Sequence, residues 1–250
     1  MNVDIHGARI LYTIPVLGGI NITSTLVITW GVMIVLTGLC IFLTRDLKVK
    51  GVSKRQAIAE FLVNTAENFV RENMGDRWVK GFTPFITAII SLSLFSSLTS
   101  LIGLFPPTAD LVTELAWAVV VFVIITYNNI KSSGLLGYLK SFCSPIFLMA
   151  PFNVLGEVFK PVSMTFRHFG NIVSGSVISA LVYAGLTVAN QALFSLIPGM
   201  VGKVLGAIPF LTVGIPAVLS LYFDWFGSAI QAFIFCVLTM VFISQAAGEE

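Results

Sequence analysis

Seven residues in one apolar stretch carry a pattern that a lipid-facing helix would not select. Asn153, Glu157, Lys160, Met164, Arg167, Asn171 and Ser174 succeed one another in steps of four and three. On a helix that spacing sets them along a single face, and Met164 alone is apolar. Further on, Ser220, Asp224, Ser228 and Gln231 step by four, four and three. The chemistry such stripes offer is the handling of charge where water is scarce. A buried arginine costs at least about 2.5–3.5 kcal/mol on the membrane-insertion scale, and it cannot shed that cost by deprotonating. An ionisable group at that depth marks a functional site by default. Packing the two polar stripes face to face is the economical arrangement and brings Arg167 near Gln231.

Other readings of the same residues stand beside this one. Arg167 paired with Glu157 or Asp224 would glue helices, although buried pairs seldom stabilise on balance. Ten residues of helix, roughly 15 Å, separate Glu157 from Arg167. Glu157 and Lys160 at i, i+3 suit a local ion pair as well as a site. Asp224 suits an interhelical acceptor or a member of a wet ion path. His168 points about 100° away from the stripe and reads as a packing histidine. Ser163, Gly170, Gly175, Ser176 and Ser179 are small, which admits close approach of another element. No Gly-rich phosphate loop, HExxH or nucleophile elbow is present. Cys40, Cys143 and Cys236 lie far apart without metal-ligand spacing, so no cofactor and no metal is expected.

The elements that position these residues belong to a membrane protein. The chain is 56% hydrophobic and 10% charged over 250 residues, against about 25% charged in soluble domains. A net charge of +2 leaves no nucleic-acid footprint. The whole chain, 1–250, reads as one integral membrane domain of all-α class. Residues 1–22 form an external N-terminal segment with no removable signal peptide, and 24–44 a first span. Between Arg45 and Lys80 lie eight of the fourteen basic residues; there Ala57, Ile58, Phe61, Leu62, Phe69 and Val70 recur at helical spacing. That segment, 45–80, reads as an amphipathic helix at the cytoplasmic interface. Residues 82–130 form a helical hairpin turned by the Pro-rich Leu104–Leu111, and Lys131–Lys140 is a short polar connector. The remainder, 147–246, holds two apolar stretches joined by a loop with Lys203. Each is about twice the length a perpendicular span needs, so each tilts steeply, bends or breaks, with Pro151, Pro161, Pro209 and Pro216 as bends. The expected architecture is therefore about five membrane-embedded helices plus the interfacial one. The positive-inside rule then sets the N-terminus outside and the C-terminus in the cytoplasm.

At this point the residues resemble a known family. "KPVSMTFRHFGNIVSG" followed by "FGSAIQAFIFCVLTMVFIS" is similar to the a subunit of F-type ATP synthases, and "LFPPTADLVTELAWAVVVF" and "GLLGYLKSF" look like its bacterial members. The resemblance covers nearly the whole chain in order. It implies a stator ion-channel subunit in the bacterial plasma membrane, with two offset half-channels and no ATP chemistry in this chain. It implies a ring of c subunits, each with one mid-membrane carboxylate, as the partner of the two long C-terminal helices. It also implies the b-subunit peripheral stalk and the other synthase subunits as partners. Arg167 matches the family's essential arginine, Gln231 its glutamine partner, and Asn171 a polar residue of the outer half-channel. Asp224, Ser176 and Ser228 join that outer path, whereas Ser163, Asn153 and Glu157 would line the inner one. The chain departs from the family pattern at Ser176 and Asp224, where many members carry other ionisable groups, and at His168, where leucine is usual. The transported ion, H+ or Na+, stays open. A self-contained secondary transporter is the rival reading, but it needs a site at a repeat interface and no repeat is visible; a scaffold subunit would gain nothing from Arg167.

Overall fold

A computed structural model describes residues 8–15, 20–144, 146–196, 218 and 221–247. Two short antiparallel strands, β1 (Ile10–Ile14) and β2 (Ile20–Thr23), pair and lead directly into helix α1 (Ser24–Thr44). The hairpin was not legible as strand in the mixed N-terminal sequence. Thr23 caps α1 by accepting from the Leu26 amide at 3.4 Å, which satisfies one of the free donors of the first turn. α1 is apolar all round and little buried, as a lipid-facing span should be.

α2 (Lys54–Met74) is the amphipathic helix, capped by Ser53. Its side-chain amide Gln56 folds the preceding loop back, donating to the Lys48 carbonyl and accepting from the Lys48 amide, both at 2.9 Å. Val70 and Met74 enter the core, while Ile58, Phe61 and Leu62 stay exposed. The apolar face thus divides between protein and membrane. Gly75, at φ 89°, turns the chain into α3 (Asp76–Leu98), a conformation that an L side chain adopts only under strain.

Short 3-10 turns at Thr99–Ile102 and Pro107–Ala109 reverse direction into α4 (Leu111–Ser141). Asp110 caps α4, accepting from the Val112 amide at 3.1 Å, and also accepts from Thr25 Oγ1 at 2.9 Å, which ties α1 to α4. The polar connector expected at Lys131–Lys140 is helical instead. α4 runs through it with a break at Gly134 (φ 71°, ψ 162°). Polar residues do not stop a helix whose exposed Leu135, Leu136 and Leu139 have an apolar phase to contact.

α5 (Ala150–Ser195) is one helix of 46 residues. At 1.5 Å per residue that is about 69 Å, against a hydrocarbon thickness of about 30 Å. A π-helical segment, Leu221–Gly227, leads into α6 (Ser228–Ala246). Among the described residues five helices are long and apolar enough to cross a membrane, so the chain is an all-α integral membrane protein. Pro209, Pro216, Lys203 and Ser220 lie outside the described residues. The core gathers Val70 and Met74 of α2, Ile86 of α3, Ala118, Val121 and Ile125 of α4, and Phe235, Cys236, Met240 and Ile243 of α6. From α5 it takes Met164 alone.

Candidate functional site

α6 packs between α3 and α4 and also touches α5 and the π-helical segment. α5 therefore lies on the outside of the bundle. Its buried positions are Pro161, Met164, Thr165, His168, Gly175 and, near its C-terminal end, Asn190. That face is turned by about one residue from the polar stripe, so the stripe runs along the edge of the contact rather than through it. Asn153, Glu157 and Lys160 are half-buried, whereas Arg167, Asn171 and Ser174 are exposed on the isolated chain.

Arg167 and Gln231 come together as the spacing predicts. With Met164, His168, Phe235 and Leu238 they line one small recess between α5 and α6, with room for about one water molecule. No hydrogen bond joins the two side chains. Among the described residues no carboxylate lies within ion-pair distance of the guanidinium. The Arg167–Glu157 pair is not formed, since Glu157 is engaged elsewhere; the Arg167–Asp224 alternative falls on a side chain outside the described residues, although the Asp224 backbone belongs to the π-helical segment. One turn along α5, the amide of Asn171 reaches Gly227, where an added Cβ would sit 3.5 Å from Nδ2. Ser228, the first residue of α6, is buried at the same level. Asn171, Ser228, Gln231 and Arg167 thus follow the α5–α6 seam.

The other stripe residues divide by use. Lys160 Nζ donates to Glu157 Oε2 at 2.7 Å and lies 5.5 Å from the Phe242 ring centroid. The local pair is formed, and its remaining oxygen, Glu157 Oε1, is buried without a hydrogen-bond partner. This pair borders a second recess of about 160 Å³, which is largely polar and shared with Asn129, Tyr138, Ser141 and Gln245. Asn153 has a structural use: Nδ2 donates to the carbonyls of Phe142 at 2.8 Å and Ser144 at 2.9 Å, clamping the turn between α4 and α5. Ser163 and Ser176 are exposed, and Ser176 Oγ donates to the Val173 carbonyl at 2.8 Å.

One partnership escaped the sequence. His168 Nδ1 lies 2.9 Å from Glu114 Oε2, with side-chain exposures of 1% and 0%. His168 is therefore more than a packing histidine; it meets a buried acid from the first turn of α4. Each residue looked isolated because its partner sits on a different helix. The available signal was their sum, an acid and an imidazole each unexplained within an apolar span.

Comparison with known proteins bears on this arrangement. The profile of the family described as ATP synthase A chain matches residues 26–244. ATP synthase subunit a 2 of Bradyrhizobium sp. (strain BTAi1) is 34% identical over 237 residues, which cover 93% of this chain and 92% of that protein. ATP synthase subunit a of Albidiferax ferrireducens is 32% identical over 92% of this chain and 88% of its own length. A protein of Propionigenium modestum named ATP synthase subunit a, sodium ion specific, is 29% identical over 92% of this chain and 76% of its own.

Proposed function

The chain belongs to the ATP synthase A chain family and is the stator ion-channel subunit in the membrane sector of a rotary ATP synthase; from that premise we propose which of its residues carry the ion. Its partners are other subunits of the synthase, and we assign the outer surface of α5 to the c-ring. The observation that carries this assignment is Arg167: an exposed, permanent cation without an acid partner among the described residues, in the seam of an apolar helix pair. A passing carboxylate on the ring supplies the missing anion. Near Arg167 that carboxylate is stabilised without its ion, and a cation crossing directly from one side of the membrane to the other is repelled. A planar guanidinium meets an oxyanion through several donors and is less strongly hydrated than an ammonium, which suits a transient partner. Gln231 holds the recess polar beside it.

Along the seam on the outward side, Asn171, Ser228, Asp224 and Ser176 form the entry half-channel. On the other side, Glu157 and the recess it shares with Gln245 and Asn129 form the inner half-channel, with Ser163 and Asn153 at its margins. The buried, unpartnered Glu157 Oε1 supports this, because a free carboxylate oxygen attracts a departing cation. The orientation is N-terminus outside and C-terminus cytoplasmic, and the peripheral stalk is assigned to the b subunit. The test is ATP-driven ion pumping by the reconstituted complex carrying Arg167→Ala. Loss of pumping with normal subunit content supports the assignment, and unchanged coupled pumping removes it.

A further inference from the structure

The buried Glu114–His168 contact lies off the polar stripe, and its geometry gives it a direction. Glu114 stands in the first turn of α4, one turn from the Asp110 cap and beside the Pro107–Ala109 turn against which α5 also packs. His168 faces it with Nδ1 at 2.9 Å from Oε2. On its other side the same imidazole lines the recess of Arg167 and Gln231. All four polar atoms of the pair, Glu114 Oε1 and Oε2 and His168 Nδ1 and Nε2, are buried, and none has a hydrogen-bond partner of good geometry, the 2.9 Å contact included. A pair that only glued α4 to α5 would have its remaining polar atoms satisfied, since a buried network that is half satisfied is worse than an apolar one. Among the described residues the surroundings supply no other titratable group to do that. α3 has none between Phe82 and Leu98, and α6 offers Cys236 alone. Asp110 is engaged at the α4 cap, and Arg167 carries a fixed charge.

We propose that Glu114 and His168 form a two-member proton relay between the outer end of α4 and the recess that holds Arg167 and Gln231. This rests on the reading of that recess as the ring-facing site. An imidazole suits the position because it lies against Glu114 and lines the recess at once. A proton arriving on Glu114 passes to Nδ1 and leaves an imidazolium beside the carboxylate. Rotation of the imidazole about Cβ–Cγ turns that N–H toward the recess, where the proton is released; Nε2–H is kept throughout, so the return rotation restores the starting tautomer with one proton moved and every charge accounted for. The relay gives the entry path the ionisable group that Ser176 does not provide.

The test uses the complete synthase reconstituted in vesicles, with proton and sodium uptake read during ATP hydrolysis. Glu114→Gln keeps the shape and loses the proton; it should assemble and pump protons about 10²-fold more slowly. The decisive variant is Glu114→Leu/His168→Leu, which replaces the pair by apolar side chains. If the pair is structural, this change is tolerated and pumping returns to the wild-type rate, which overturns the relay. If the pair carries protons, the complex assembles and stays slow. Should the double variant not be recovered in the complex, Glu114→Gln decides alone, and a wild-type rate there overturns the relay. Wild-type vesicles that take up sodium and no protons overturn it as well. Arg167→Ala, run in parallel, separates the two readings. If Arg167→Ala is inactive while the double variant pumps normally, the relay fails and the ring-facing site stands. If Arg167→Ala pumps normally, the ring-facing site itself fails.

Discussion

Removing the charge of Arg167 should abolish coupling while leaving the subunit in place. The guanidinium is exposed on the isolated chain and makes no ion pair or hydrogen bond among the described residues, so Arg167→Ala should alter the fold by no more than about 0.5 kcal/mol, as is usual for surface changes. On the proposed assignment its effect falls on the ring carboxylate. At about 4 Å and an effective dielectric near 20, a unit pair is worth about 4 kcal/mol. At about 1.4 kcal/mol per decade, that predicts a loss of roughly 10³ in the rate at which bare carboxylates pass the stator. Arg167→Lys keeps the charge but loses the planar fork, and should fall between the two. The assay is ATP-driven ion uptake into vesicles holding the purified complex, normalised to a-subunit content, together with passive ion leak in the absence of ATP. Pumping should be lost and leak should rise, because the cation also bars direct passage. Pumping by Arg167→Ala within about threefold of wild type, equivalent to only about 0.7 kcal/mol, would refute the reasoning.

Asp224→Asn should slow ion uptake more than Ser176→Ala does in the same vesicle assay, since Ser176 spends its hydroxyl on the Val173 carbonyl; equal and negligible effects would remove Asp224 from the path. Asp110→Ala removes the α4 cap and the tie to Thr25 together, and should lower the thermal midpoint of the detergent-solubilised complex by the equivalent of about 1–2 kcal/mol. Gly134→Ala forces an L side chain to φ 71°, with a strain of about 1–2 kcal/mol; the measurable result is a reduced midpoint in the same thermal assay, and no change would mean that the α4 break relaxes freely. Measuring uptake with and without sodium, and with a protonophore, identifies the ion: collapse by the protonophore in sodium-free medium means protons, and persistence with a sodium requirement means sodium.

The elements that face lipid were legible because burial in a membrane leaves one dominant signal, apolar length. α1, α3, α4 and the long α5 all follow from it. The capping of α2 by Ser53 and the turn at Gly75 follow from local backbone chemistry. What length does not encode is where a span stops being a span. The α4 break at Gly134 and its polar continuation required knowing that Leu135, Leu136 and Leu139 have somewhere apolar to lie. In the site, the three-four spacing brought Arg167 and Gln231 to one recess, since a helix fixes which residues share a face. It gave Asn153 the wrong company, because its amide is spent on two carbonyls of the preceding turn. It missed Glu114 altogether, because no periodicity within one helix reports a partner on another.

The distribution of burial makes a last physical point about why Arg167 requires a second protein. Six of the 46 residues of α5 are buried, against eight of the 19 in α6. The internal core is therefore complete without α5, which contributes Met164 to it and little else. Lipid is an adequate neighbour for Phe152, Leu155, Phe159 and Phe166, all exposed. It is a poor neighbour for a guanidinium that sits among them and cannot lose its proton. A helix so little buried by its own chain, and so badly matched to hydrocarbon at one position, reaches a stable arrangement when another protein surface brings an acid to that position. If the acid were permanent, the pair would lock; if it moves, the same contact becomes a station on a rotating track.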